Sequence, residues 1–165
     1  MEEIHIDDLN ILTPSEVIKI GTEFEGEVCF SGEFGQQVFT KPMEEGGSVF
    51  SGLLYEKYPN GSLAYYSFYD NGIPHGITVG FYPDKTVSSY KNMCRGTVHG
   101  KEFVWFENGL VKSIAERKFS FYTHFREWDE SGNLINLKKE PNEFEKEMIH
   151  KCELDEIRWT SQKGT

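Results

Sequence analysis

Residues 52–72 read GLLYEKYPNGSLAYYSFYDNG, and the two Asn-Gly pairs in this stretch decide the fold. Asn60-Gly61 accepts the positive φ angles of a type I′ hairpin turn, and Asn71-Gly72 marks the next reversal. Between the turns stand Tyr, Leu and Phe, residues that fit a pleated, half-buried surface. The stretch therefore predicts two short antiparallel strands and the start of a third.

Working outward, the same pattern returns at a constant stride. Gly52, Gly76 and Gly100 are 24 residues apart, and so are Tyr58, Tyr82 and Phe106. Leu63, Val87 and Val111 keep that spacing, as do Gly72 and Gly96, and His75-Gly76 recurs as His99-Gly100. A fourth copy, shifted by a residue or two, reads Trp128-Asp129-Glu130-Ser131-Gly132-Asn133-Leu134. Such a repeat implies one supersecondary unit stacked on copies of itself, here a mainly β fold: an antiparallel β-hairpin meander of 24-residue repeats. Pro83-Asp84-Lys85 holds the place of Asn60-Gly61 in the second copy but lacks Gly, which predicts a different or looser turn there.

A two-residue loop at Asn60-Gly61 sets the register, with Tyr58 facing Leu63 on one side of the sheet and Tyr55 facing Tyr66 on the other. Carried forward, one face holds Tyr58, Tyr82 and Phe106 beside Leu63, Val87 and Val111. The other holds Tyr55, Val79 and Phe103 beside Tyr66, Tyr90 and Ile114. Both faces are thus expected to carry an apolar ladder, each needing a cover or a partner.

The motifs resemble those of the MORN-repeat variant proteins, a family of β-hairpin repeats with Y-x-N-G-x-L and N-G-x-x-H-G elements. The matching residues are Tyr58-Pro59-Asn60-Gly61-Ser62-Leu63, Asn71-Gly72-Ile73-Pro74-His75-Gly76 and Phe106-Glu107-Asn108-Gly109-Leu110. The lead-in Val49-Phe50-Ser51-Gly52-Leu53-Leu54-Tyr55-Glu56 and the closing Trp128-to-Ile135 stretch resemble the bacterial members grouped as YwqK-like antitoxins. The resemblance spans about residues 49–137 and implies an immunity or antitoxin role. It brings no catalytic residue with it, and a repeat scaffold specifies fold better than function.

Residues 1–48 form an acidic N-terminal segment. Glu27-Val28-Cys29-Phe30 and Gln37-Val38-Phe39-Thr40 read as strands that continue the repeat sheet or make a small cap. Thr13-Pro14-Ser15-Glu16 has the spacing of a helix start. Residues 138–165 form a C-terminal helix and tail. Asn142 and Glu145 make a capping pair, and Phe144, Met148 and Cys152 recur every fourth residue with Ile149 and Ile157 nearby. This predicts a short helix over about 143–157 laid on one apolar face of the sheet, followed by frayed residues from Thr160 onward.

The chain has 17 basic and 27 acidic residues, a formal net charge of −10, which argues against nucleic acid and anionic membrane surfaces as partners. No apolar run approaches the ~20 residues of a membrane-spanning helix. The acidic start, MEEIHIDD, lacks the pattern of a secretory signal, and Cys29, Cys94 and Cys152 are widely spaced, so a cytoplasmic protein with reduced thiols is expected. The charge is concentrated: residues 1–49 hold 2 basic and 11 acidic side chains.

Motifs for catalysis, phosphate cradling or metal binding are missing, so neither an enzyme nor a cofactor is expected. His75 and His99 adjoin turns, where the imidazoles pack on a neighbouring hairpin rather than converge on a metal. The expected function is an antitoxin or immunity protein that neutralises a cognate, basic toxin by stoichiometric complex formation. The alternative is a MORN-type structural scaffold at a protein or membrane surface; self-association is open in either case. Candidate partner-binding residues are the acids Glu23, Glu25, Glu27 and Glu33, with Tyr65, Tyr66, Tyr90 and Trp105 as aromatic anchors.

Overall fold

The computed structural model describes residues 5–33 and 35–163. After a 3-10 turn at Ile6–Leu9 come helix α1 (Pro14–Ile20), strand β1 (Thr22–Glu23), a distorted turn α2 (Phe24–Glu27), β2 (Cys29–Ser31) and β3 (Gln37–Phe39). The hairpin strands follow: β4 (Gly52–Lys57), β5 (Leu63–Asp70), β6 (Ile73–Phe81), β7 (Val87–Cys94), β8 (Thr97–Trp105), β9 (Val111–Lys118), β10 (Phe121–Trp128) and β11 (Leu134–Lys138). Helix α3 (Glu143–Lys163) ends the described chain. Strands β4 to β11 pair in sequence order as an antiparallel meander, β1 adds a short parallel edge to β4, and β2 and β3 form a separate ribbon.

The turns fall into two kinds, one at each end of the strands. At one end the Tyr58 N–H donates to the Ser62 carbonyl (2.8 Å) and the Gly61 N–H to the Tyr58 carbonyl (2.8 Å). Gly61 has φ +85° while Asn60 does not enter the left-handed region. This is a three-residue loop closed by a glycine bulge, not the type I′ turn expected from Asn60-Gly61. The loop recurs at Phe106–Leu110 and, contrary to expectation, at Tyr82–Thr86, where Lys85 takes the glycine position at φ +77°. Asp84 supports it by accepting from the Thr86 N–H (2.9 Å), as Asn60 does from Ser62.

At the other end Asn71-Gly72, Arg95-Gly96 and Phe119-Ser120 all have positive φ at both positions, the signature of type I′. Each of these turns is fastened to the preceding hairpin. The N–H of Gly72, Gly96 and Ser120 donates to the carbonyl of Phe50, Pro74 and Val98 respectively, at 2.7, 2.9 and 2.9 Å. His75 Nδ1 accepts from the Arg95 N–H (3.3 Å), and the His99 ring meets Phe119 edge-on at 5.2 Å. The repeated histidines therefore clamp the next turn.

Register explains where the core lies. Tyr55, Tyr66, Val79, Tyr90, Phe103 and Ile114 stand opposite one another in succession across six strands. None of the six is more than 9% exposed. A bulge at each loop end, at Glu56/Lys57, Gly80/Phe81, Val104/Trp105 and Glu127/Trp128, then changes the alternation. In consequence Leu63, Val87 and Val111 join the same core cluster, with Phe81, Trp105 and Trp128. The expectation of an apolar ladder on each face is corrected: Leu63, Val87 and Val111 lie on the face of the central row. The reverse face pairs Ser67 with Thr78, Lys91 with Glu102, and Glu102 with Ala115. There the Ser67 and Thr78 hydroxyls are 2.6 Å apart and Arg117 Nη1 is 2.9 Å from Glu102.

The N-terminal segment covers the apolar face. Ile6, Leu9, Ile11 and Leu12 pack on the cluster, Val17 of α1 is fully buried in it, and the Leu12 N–H donates to the Tyr66 hydroxyl at 3.0 Å. Helix α1 starts on a capping box: Thr13 Oγ1 accepts from the Glu16 N–H (3.3 Å), and Glu16 accepts from the Thr13 N–H (2.8 Å). The cap is thus helical at 6–9 and 14–20, with strands only after it.

Helix α3 does not lie as its Phe144-Met148-Cys152 spacing predicts, and it extends to Lys163 instead of fraying from Thr160. Ile149 is the buried residue, Met148 and Cys152 are half-buried, and Phe144 and Ile157 are 65% and 61% exposed. Three ion pairs aim it. Glu145 meets Lys138 at the end of β11 (2.6 Å), Glu153 meets Lys118 at the end of β9 (2.9 Å), and Glu156 meets Arg95 after β7 (3.5 Å). The helix runs back across one end of the meander. Asn142 Oδ1 caps the Glu145 N–H (2.9 Å) as the sequence implies.

Candidate functional site

Pairing of β1 with β4 places Glu23 beside Tyr55 and brings the acidic segment to the first hairpin. Gly21 permits the approach, since a Cβ there would collide with Leu53 and with the Val17 carbonyl. The result is a recess of about 330 Å³ in which Glu23, Glu25 and Glu56 face a single cation, Lys57. Lys57 Nζ is 3.1 Å from Glu23, with both side chains about a third exposed, so the pair is solvent-screened and adds little stability. Net negative charge at this corner is the property that survives screening at contact range.

Tyr65 borders the corner. Its hydroxyl donates to Glu56 Oε1 at 3.0 Å. Burial first, and the Glu56 charge second, push the phenol far above its ordinary value of 10, so it keeps its proton and remains a donor. Tyr69 is raised for the same two reasons. Glu27 and Glu33 are exposed, Glu33 in the connection between β2 and β3, and neither lines the recess.

The other proposed anchors are placed elsewhere. Tyr66, Tyr90 and Trp105 are 0%, 9% and 1% exposed and belong to the core beneath the N-terminal cap. They hold the sheet together and offer no surface to a partner. Two residues the sequence reading missed stand in their place. Glu56 joins the acidic corner through the β1–β4 pairing, and Phe30, 62% exposed, packs with its ring tilted 49° at 5.3 Å from Phe24 of the recess wall.

A second cavity, about 710 Å³, opens where the cap stops short of β9 to β11. Phe103 and Ile114 line it, and its cations, Lys101, Arg126, Lys138 and Lys139, outnumber the acids Asp8 and Glu116. Among the described residues no group of His, Cys, Asp or Glu could hold a metal ion, and no helix is long and apolar enough to cross a membrane. The three cysteines are unpaired and half-buried.

No protein-family model matches the chain, and no solved structure matches it. The immunity protein YwqK of Bacillus subtilis (strain 168) is 40% identical to it over 116 residues, 70% of this chain and 74% of that protein. An overlap of that length and identity includes most of the hairpin repeats together with flanking sequence, more than a shared turn motif would produce. The chain belongs to the YwqK family.

Proposed function

We propose that this protein is a cytoplasmic immunity protein, a binding protein and not an enzyme, that neutralises a toxin by forming a stoichiometric complex with it. Membership of the family of a protein named for immunity supports the role. We read the hairpins as MORN-repeat variants serving as its scaffold. The observation that carries the mode of action is the convergence of Glu23, Glu25 and Glu56 on one recess with Lys57 as the only counter-charge among the described residues. A basic toxin is drawn to such a corner once within about a Debye length of it, and complementary charge raises the rate of encounter more than the final affinity. Phe30 and Tyr65 supply the contact area beside it, since aromatic side chains carry much of the energy of such interfaces. Glu27 and Glu33 extend the negative field without entering the recess.

The test is co-expression with the product of a toxin gene encoded beside this one. Rescue of growth, with both chains eluting together in fixed ratio, is the expected result. Continued toxicity with no complex formed contradicts the reading.

A further inference from the structure

The central row of the sheet continues past the N-terminal cap. Phe103 stands opposite Ile114, Ile114 opposite Arg126 and Arg126 opposite Leu137, across β8 to β11. Phe103 and Ile114 lie at the floor of the cavity of about 710 Å³, with the exposed Leu137 and Leu9 of the cap also lining it. That volume lies within the ~300–1,000 Å³ of small-molecule sites, which typically combine an apolar lining with a few polar groups. A second row runs two residues along on the same face. Lys101 and His124 both stand opposite Glu116, and Lys139 is the residue after β11. His124 lies 3.5 Å from Glu116, while Lys101 and Lys139 form no ion pair with another described residue. Among the described residues, four of the chain's 17 basic side chains line this cavity and two of its 27 acidic ones do, so its charge is opposite to that of the chain as a whole.

We propose that this cavity is a binding site for an amphiphilic monoanion, a saturated fatty carboxylate. The acyl chain lies along Ile114 and Phe103, and the carboxylate meets the Lys139 ammonium. Lys139 serves the head because β10 separates it from Glu116, whereas Lys101 faces Glu116 directly and is partly neutralised by it. Arg126 stands between Ile114 and Leu137 and adds positive charge on the same side as the head. From β11 to β8 the row crosses three strand spacings, about 14 Å, a length that a medium acyl chain covers. Glu116 sets the valence of the head. A phosphate monoester would bring a second negative charge toward it, and like charges brought together are costly, so the singly charged carboxylate fits better. The site is separate from the acidic corner, and neither needs the other.

The test is isothermal titration calorimetry of the full chain with decanoate below its micelle concentration. Saturable binding of one decanoate per chain is expected. Decylamine, of the same length and opposite charge, and acetate, which lacks the chain, should both bind at least ~10-fold more weakly. Lys139→Glu, at an exposed residue outside the strands, weakens decanoate binding ~10-fold or more, and Lys101→Glu weakens it less. Lys41→Glu, at an exposed residue that does not line the cavity, leaves it unchanged. Absence of saturable binding overturns the proposal, as does decylamine or acetate binding as tightly as decanoate. A Lys139→Glu protein with unaltered decanoate affinity overturns it too, and decyl phosphate binding more tightly than decanoate overturns the choice of a carboxylate. A chain that ignores decanoate but loses its toxin complex on Lys139→Glu gives the cavity to the toxin and also overturns the proposal.

Discussion

The Tyr58 hydroxyl donates to the Phe81 carbonyl at 2.8 Å, and 24 residues later the Tyr82 hydroxyl donates to the Trp105 carbonyl at 2.7 Å. Each bond leaves the loop of one hairpin and lands on the bulge of the next. With the turn N–H bonds at the opposite end, successive hairpins are sewn together at both ends of their strands. The third copy has Phe106, which has no hydroxyl to give.

Removing a tether is therefore expected to cost stability. Tyr58→Phe and Tyr82→Phe each lose about 1 kcal/mol, because a part-buried carbonyl gives up its partner. Phe106→Tyr is expected to gain a fraction of that, since Trp128 occupies the bulge position that Phe81 and Trp105 occupy. Urea titration of the three variants decides it. Unchanged midpoints for the two Tyr→Phe variants would show the tethers to be idle.

Lys85 provides a second case. It sits at φ +77° in a loop whose equivalents are Gly61 and Gly109 at +85° and +84°. The left-handed conformation costs a side-chain-bearing residue about 1 kcal/mol. Lys85→Gly is expected to recover roughly that amount, and Gly109→Lys to lose it. A thermal melt of each variant measures both signs, and a destabilised Lys85→Gly protein would mean that the lysine side chain matters more than its backbone.

These loops also show what could be read from the chain and what could not. The 24-residue stride, the strand order and the central pairs, Tyr55 with Tyr66, Val79 with Tyr90 and Phe103 with Ile114, were legible because they depend only on spacing. The bulge at each loop was not, since it comes from one unpaired residue whose insertion the hydrophobic pattern tolerates. That residue moved Leu63, Val87 and Val111 onto the opposite face from the one expected. Helix α3 was rotated for a similar reason: its Glu145, Glu153 and Glu156 contacts with distant strand ends decide which side faces inward, not its apolar spacing. The acidic corner was half legible. Charge counting found Glu23 and Glu25, but their meeting with Glu56 needs the two-residue parallel pairing of β1 with β4.

Acid should loosen α3. The Lys138 hydrogen bond and the Asn142 N–H hold Glu145 below its ordinary value of 4.5, and the Lys118 contact does the same for Glu153. A carboxylate lowered on folding contributes its stability above the unfolded value and loses it as pH falls through the folded one. Docking of α3 is therefore intact at neutral pH and weakens below about pH 4.5. Trp159 reports this: it stacks on Arg95 at 4.3 Å, so its fluorescence should change over that range. A flat signal down to pH 3 would indicate that Ile149 alone holds the helix.

The cap over the apolar face should be energetically real. Val17 is fully buried against the cluster, so Val17→Ala is expected to cost about 2 kcal/mol through lost contact and a residual cavity. Ile20→Ala, at a residue 61% exposed on the same helix, should cost little. Denaturant unfolding compares the two, and equal effects would mean that the cap is only loosely attached.

The role proposed for the acidic corner is tested most directly by stopped-flow association, at several salt concentrations, with a toxin that co-expression shows this protein to neutralise. Glu25 and Glu27 lie together on the N-terminal flank of the corner, so Glu25→Lys with Glu27→Lys should slow association severalfold at low salt and flatten its salt dependence, with little change in dissociation. An association rate and salt slope equal to those of the unaltered protein would contradict it.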